Sequence, residues 1–566
     1  MKKIALILIL FPLISQSQIP NFSWAAQIGG ADKVIGRCVD FDGNGNVYSA
    51  GNFEGVIDLD PGTGVSNVST SVHSDGDLYF QKLDGQGNFI WGFSLGGDSA
   101  NILPLALTVD NNDDVLVAGV FFGGNIDFDP GTAAFPLSSS MTASSVFILK
   151  IKSDGSFAWA KVLYNTSNDW VYSITNNQNN ELFITGLFSG STDFDPGIAS
   201  YVLPSFGSHD GFLLKLDSDG DFNWVKQYGN ISFDGSHSVE LDDVGNIYVA
   251  GFFQGTADFD PGLATSNLTS QGGSDAFVQK LNGSGNFIWA KGFGGADNDK
   301  ARSIEFDVNG DLWLTGEFEG TADFDPSSST SNLSSAGSWD ALILKIDTSG
   351  NFIWAGALGD QGIDIGYSIA PGQNGNVFVL GSFEETPDFN PAQGTFLMSS
   401  NGLSDIFILE LDTYGDMVWA SQIGGIGYEG AYSVSSNNAN ELLLTGYFNN
   451  SIDCDPTSGV EMLTSNGGQD AFVLKLSEAA VGIQEVIETG SFRLYPNPTS
   501  GAISVESTEE FESVSWKVFD CLGRTVSQGV EYDKQKAHLS INASSGIYFV
   551  EIVVGEKKAV YRVLKN

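Results

Sequence analysis

Two kinds of side chain recur in this chain at a spacing that could do chemistry. The first is a carboxylate pair at i and i+2: Asp58 and Asp60, Asp127 and Asp129, Asp193 and Asp195, Asp258 and Asp260, and Asp323 and Asp325. A weaker copy reads Asp388-Phe389-Asn390, and a last one begins at Asp453. In an extended segment such residues share a face roughly 6.6 Å apart, and with loop carbonyls they could hold Ca²⁺. The same residues suit a Pro-Gly turn whose carboxylates accept backbone N–H bonds, with Phe259 and its equivalents turned into the core. Repetition in every copy speaks for the turn. The second kind is a varied position in an otherwise uniform strand. Two residues before Val239 and its equivalents stand Arg37, Leu105, Tyr172, His237, Arg302, Tyr367 and Tyr432. At one mouth of a channel these would be ligand-binding residues; alternatively, they pack by their apolar stems.

Catalytic constellations are absent from the sequence. There is no phosphate loop, H-E-x-x-H or haem-attachment motif. The four histidines (His73, His209, His237, His538) include no ligand-spaced pair. Asp40 to Gly45 reads D-x-D-G-x-G, but the twelfth position is Gly51, where an EF-hand needs a bidentate Glu. Three scattered cysteines (Cys38, Cys454, Cys521) define no disulfide framework. The formal net charge of -44 excludes nucleic acid and anionic lipid as partners. It leaves cations, and it suits solubility outside the cell.

The elements that must position these residues form a repeat. The Trp of an F-x-W segment falls at Trp24, Trp91, Trp159, Trp224, Trp289 and Trp354, and at Trp419 with Met417 in place of Phe. Lys82, Lys150, Lys215, Lys280, Lys345 and Lys475 mark a second strand, with Glu410 standing once for Lys. Each copy contains four strand-like runs, A to D, exemplified by SHSVELD, NIYVAGFF, DAFVQKL and NFIWAKGF. The A–B and C–D links are short and Gly-bearing, as antiparallel hairpins require; the B–C and D–A links are longer and more variable. Four antiparallel strands repeated seven times predict an all-β, seven-bladed β-propeller over residues 21–476. The first copy of D, around Trp24, has no A, B or C before it, and the last copy stops after C. The N-terminal strand is therefore expected to close the last blade, removing two open edges.

The ends of the chain carry an address. Met1-Lys2-Lys3, the apolar run Ile4 to Ile14, and Ser15-Gln16-Ser17 read as a signal peptide over residues 1–17. The run is too short to span a bilayer, which takes roughly 20 residues. Residues 477–491 read as a linker. Residues 492–566 alternate as a small antiparallel sandwich does. There Tyr495-Pro496-Asn497-Pro498, Asp520-Cys521-Leu522-Gly523-Arg524, Gly546-Ile547-Tyr548-Phe549 and Val563-Leu564-Lys565 resemble the C-terminal sorting domain of type IX secretion cargo from Bacteroidetes. That resemblance implies passage through a dedicated outer-membrane channel, removal of the sorting domain, and release or attachment at the cell surface. The repeats resemble bacterial seven-bladed propeller repeats, which implies a fold and no function. The expectation is a secreted or surface-exposed monomeric binding or adhesion module for a glycan or protein ligand, without a cofactor unless Ca²⁺ binds. The alternative is a polysaccharide-active hydrolase or lyase at the channel mouth. An enzyme should break the repeat with one acid/base cluster, and only His237 and the two Arg break it here.

Overall fold

A computed structural model describes residues 20–70, 76–97, 100–139, 143–392 and 394–477, and most of residues 492–565. The predicted signal peptide and residues 478–491 of the predicted linker lie outside these. So do residues 496–498 and 520–524 of the sorting motifs. The chain divides into two compact parts, Met1–Glu478 and Ala479–Asn566. Among the described residues the structure is all β apart from one 3-10 turn, Gln373–Gly375.

The first part consists of antiparallel A-B-C-D ladders. In the fourth repeat these strands are Gly235–Leu241, Ile247–Asp258, Asn267–Leu281 and Phe287–Gly295. In the last repeat A, B and C are Gly430–Ser436, Leu442–Asp453 and Met462–Ser477. Its D strand is Asn21–Gly30, paired antiparallel with C from Asn21↔Ser477 to Ile28↔Ala471. The A strands neighbour one another in chain order, and the last lies against the first. B and C strands such as Val47–Phe53 and Asp77–Leu83 are buried at every residue. Ladders cover both of their faces, which is why these runs show no strict alternation of apolar and polar residues.

The B–C links hold more strand than the sequence suggested. After Phe253 the fourth repeat's B strand continues through Asp258 and pairs with Asn267–Thr269 as a ribbon. The D-x-D-P step forms its tip. Asp258 Oδ1 accepts the N–H groups of Asp260 and Ser266, and Asp260 Oδ1 accepts that of Gly262. Phe259 is fully buried against Phe277. The same bonds recur at Asp58, Asp127, Asp193 and Asp323.

Two devices join successive repeats. In the first, Lys82 and Trp91 both donate to the carbonyl of Ser153 in the next C–D turn. Lys280 and Trp289 do so to Thr348, and Lys475 and Trp24 to Gly85. Each lysine also pairs with an acid in its own A–B turn, as Lys82 with Asp42 and Lys475 with Glu441. Glu410 occupies this place in the sixth repeat and accepts from Asn376. The seventh repeat has no C–D turn to face it, because its D strand comes from the start of the chain. The Trp419 indole N–H is correspondingly buried without an acceptor among the described residues.

The second device is a pair of carboxylates at the opposite end of the strands. Asp210 faces Asp234, Asp275 faces Asp299, Asp340 faces Asp364, and Asp405 faces Glu429; all are buried. A side chain at Gly294 would strike both Asp275 and Asp299, so only glycine fits between them. In the C-terminal part, a three-stranded and a four-stranded antiparallel sheet share one apolar core, including Val505, Val518, Val550 and Val563.

Candidate functional site

The site is built by a repeated irregularity. In each A–B pair the register slips by one residue, and the extra residue is the varied one: Arg37, Leu105, Tyr172, His237, Arg302, Tyr367 or Tyr432. A β-bulge takes a residue out of the ladder and re-aims its side chain. Glycine permits the bulge. A side chain at Gly251 would lie 2.1 Å from the Gly235 carbonyl oxygen, and one at Gly316 would lie 2.0 Å from that of Lys300. The glycine recurring in every strand B (Gly51, Gly119, Gly186, Gly251, Gly316, Gly381 and Gly446) is the sequence signal for this, and its meaning is not legible without pairing information.

All seven bulged side chains line one cavity of about 220 Å³. Along one wall two edge-to-face tyrosines are flanked by two arginines. The Arg37 guanidinium lies 4.8 Å above the Tyr432 ring, Tyr432 stands 5.7 Å from Tyr367, and Arg302 lies 5.2 Å above Tyr367. His237 meets Tyr172 edge-on at 4.7 Å.

The two arginines differ. Arg302 grips the buried Glu317 with Nε and Nη2, a carboxylate that Lys300 also approaches at 3.8 Å, so Arg302 is ion-paired within the protein. Arg37 donates through Nε to Asn52 at 3.1 Å and forms no ion pair among the described residues. His237 does not add a third cation. Burial, reinforced by the Arg302 charge, lowers its pKa to about 3, so the ring is neutral. Its Nδ1 bonds the Ala301 carbonyl at 3.0 Å; a carbonyl only accepts, so Nδ1 carries the proton and Nε2 is an acceptor.

Two further levels lie deeper along the A strands and escaped the sequence reading. Ser173, Ser238, Ser303, Ser368 and Ser433 accept the backbone N–H groups of Val239, Ile304, Ile369, Val434 and Val39 from the next repeat. Cys38 and Ala106 take this position in the first two repeats. Glu240 and Glu305 then line a second cavity of about 210 Å³. Asp40 accepts from Ser435 and Phe41 at the same level. These three carboxylates are partly buried. Burial raises all three, Glu305 to about 7, and the Glu305 charge pushes Glu240 up further.

A cavity of about 580 Å³ lies at the tight-turn end, lined by Asp40, Asp42, Gly43, Gln373 and Asn440 among others. It is walled by turn residues already bonded to one another: Gln373 N–H to Asn440, and Asn46 to Asp42. Among the described residues no three His, Cys, Asp or Glu side chains are grouped to hold a metal ion, and no helix is long and apolar enough to cross a membrane.

Comparison with known proteins fits this picture. Residues 493–566 match the model for the secretion system C-terminal sorting domain. The chain is 24% identical over 503 residues to an uncharacterized WD repeat-containing protein, L264, of Acanthamoeba polyphaga mimivirus, covering 75% of this chain and 36% of that protein. It is 26% identical over 291 residues to the regulatory protein FlaEY of Caulobacter vibrioides, covering 48% of this chain and 29% of that one. The chain thus spans about a third of the length of these relatives. With its type IX sorting domain, the protein is one exported to the cell surface or secreted.

Proposed function

We propose that residues 21–476 form a seven-bladed β-propeller that acts as an extracellular binding module, with its ligand at the axial mouth. A signal peptide (residues 1–17) and the sorting domain (residues 492–566, after a linker) serve its export by the type IX machinery. The cyclic order of the A strands and the pairing of Asn21–Gly30 with Met462–Ser477 support the architecture. One observation carries the function: seven repeats each release one bulged side chain, and the seven side chains differ while converging on one cavity. A bulge kept for packing alone would repeat its residue as the ladder does. Bulges near functional sites re-aim side chains in this way.

The D-x-D-P carboxylates act as turn formers in this reading, since their Oδ1 atoms already accept two N–H groups. Added Ca²⁺ should leave the melting temperature unchanged, because a ligand bound only by the native state would raise it.

The test is a glycan and peptide array probed with the secreted protein. Leu105→Trp should fill the mouth and abolish the signal without unfolding the protein. Asp243→Ala, in a tight turn, should leave binding intact. Array binding that survives Leu105→Trp would remove the ligand from the mouth.

A second reading, a polysaccharide hydrolase or lyase, draws on Glu305, whose raised pKa suits a general acid near neutral pH. It requires release of new reducing ends from an oligosaccharide, abolished by Glu305→Gln.

A further inference from the structure

The chemistry of the mouth is more specific than a generic polar pocket, and it is unequal around the ring. Arg302 is ion-paired with Glu317, and His237 is an uncharged acceptor. Tyr172, Tyr367 and Tyr432 present aromatic faces. Of the seven bulged side chains, only Arg37 brings a cation without a protein carboxylate, and its Nη groups make no hydrogen bond to the described residues. In ring order Arg37 and His237 belong to the first and fourth repeats, so they stand on opposite walls. A ligand spanning the mouth therefore meets an anion-seeking group on one side. On the other it meets a hydroxyl-seeking group, since Nε2 accepts from an O–H.

The size is also limiting. About 220 Å³ falls below the roughly 300–1,000 Å³ of pockets that enclose drug-sized ligands. One sugar-sized terminal unit fits, and the interior of a chain does not.

From this geometry we infer that the mouth takes a hexose ring bearing a carboxylate, a terminal uronic acid, with its carboxylate on Arg37, a hydroxyl on His237 and a ring face on the tyrosines. The inference rests on the mouth being the binding site and deepens that reading. The protein's negative charge does not forbid it, because charges beyond about 8 Å are largely screened at physiological ionic strength. The carboxylates of Asp40, Glu240 and Glu305 lie three residues further along the A strands, roughly 10 Å away in extended chain. At that distance, and with burial favouring their protonated forms, they do not bar an anion from the mouth.

The experiment is calorimetric titration of the full secreted chain with D-glucuronate, D-galacturonate, D-glucose, the methyl ester of glucuronate, and acetate. A uronate should bind at least about tenfold tighter than glucose, the ester or acetate, as expected for a hydrogen-bonded charge. Arg37→Gln should erase the preference for acid over ester, and Arg37→Lys should retain it; unchanged melting temperatures certify both folds. If glucose or the ester binds as tightly as the acid and Leu105→Trp blocks them, the acid inference fails while the mouth reading stands. Acetate binding as tightly as uronate would overturn the sugar class. Uronate binding untouched by both Arg37→Gln and Leu105→Trp would overturn the inference and the mouth reading together. The absence of any uronate binding would overturn the inference alone, the array deciding the mouth.

Discussion

At the scale of single residues, burial decides what each ionisable group does. Arg37 and Arg302 are the same residue at the same repeat position, yet Glu317 ion-pairs with one of them and leaves the other available. The varied position could be read from the sequence because Arg, Leu, Tyr and His broke an otherwise uniform strand. The neutrality of His237 could not, since it follows from enclosure and from Arg302. The buried carboxylate pairs are a stronger case. Burial pushes Asp275, Asp299, Asp364 and Glu429 up to about 7, and Asp234, Asp340 and Asp405 up to about 6, with the facing carboxylate adding to the effect within each pair. Ordinary Asp and Glu titrate near 4, so between about pH 4 and pH 7 the folded state holds protons that the unfolded chain has released. Stability is then fully present below about pH 4 for these groups, and it falls as pH rises towards 7 and beyond. The melting temperature should drop between pH 5 and pH 8. Asp275→Asn should flatten that drop and raise stability at pH 8 by a few kcal/mol at most, given roughly 1.4 kcal/mol per unit of pKa. A profile that rises with pH would contradict the assignment.

At the scale of elements, one glycine per repeat makes the site possible. Strand B brings Gly251 against the Gly235 carbonyl and Gly316 against that of Lys300, and backbone cannot move aside as a flexible side chain can. Gly251→Ala is therefore expected to flatten or distort the bulge at His237 and to cost about 2–4 kcal/mol, the range of severe single-site changes. Chemical denaturation measures the cost. The recurring strand-B glycine was visible along the chain, but glycine in a strand fits a bend, a bulge or a close approach equally well; only the register slip singles out the bulge. The Asp-Pro-Gly tips were legible for a related reason: the turn chemistry is local, and each Asp bonds an N–H two residues on. The ribbon behind them was not, because its pairing spans residues that carry no turn signal of their own.

At the scale of the whole chain, the first strand is held by the same parts as every other junction. Asn21–Gly30 pairs with Met462–Ser477, and Trp24 with Lys475 grips the Gly85 carbonyl as Trp91 with Lys82 grips that of Ser153. Deleting residues 21–28 should therefore strip the last repeat of its fourth strand, lower the melting temperature and expose Met462–Ser477 as an edge that pairs between molecules. Light scattering and thermal melting check both effects. A monomer that melts like the parent would sink the closure. The sequence by itself determined the repeat, its four strands, the orphan D strand at the start and the sorting domain at the end, because hydrophobic period, turn residues and terminal motifs are local patterns. Even Glu410 in place of Lys becomes intelligible only once the missing C–D turn of the last repeat is located. The tertiary structure alone decided which residues leave the ladder at a bulge, that seven of them meet, and which charges among them remain unbalanced. Those properties depend on register and on neighbours about 65 residues away in the chain, and no local pattern encodes them.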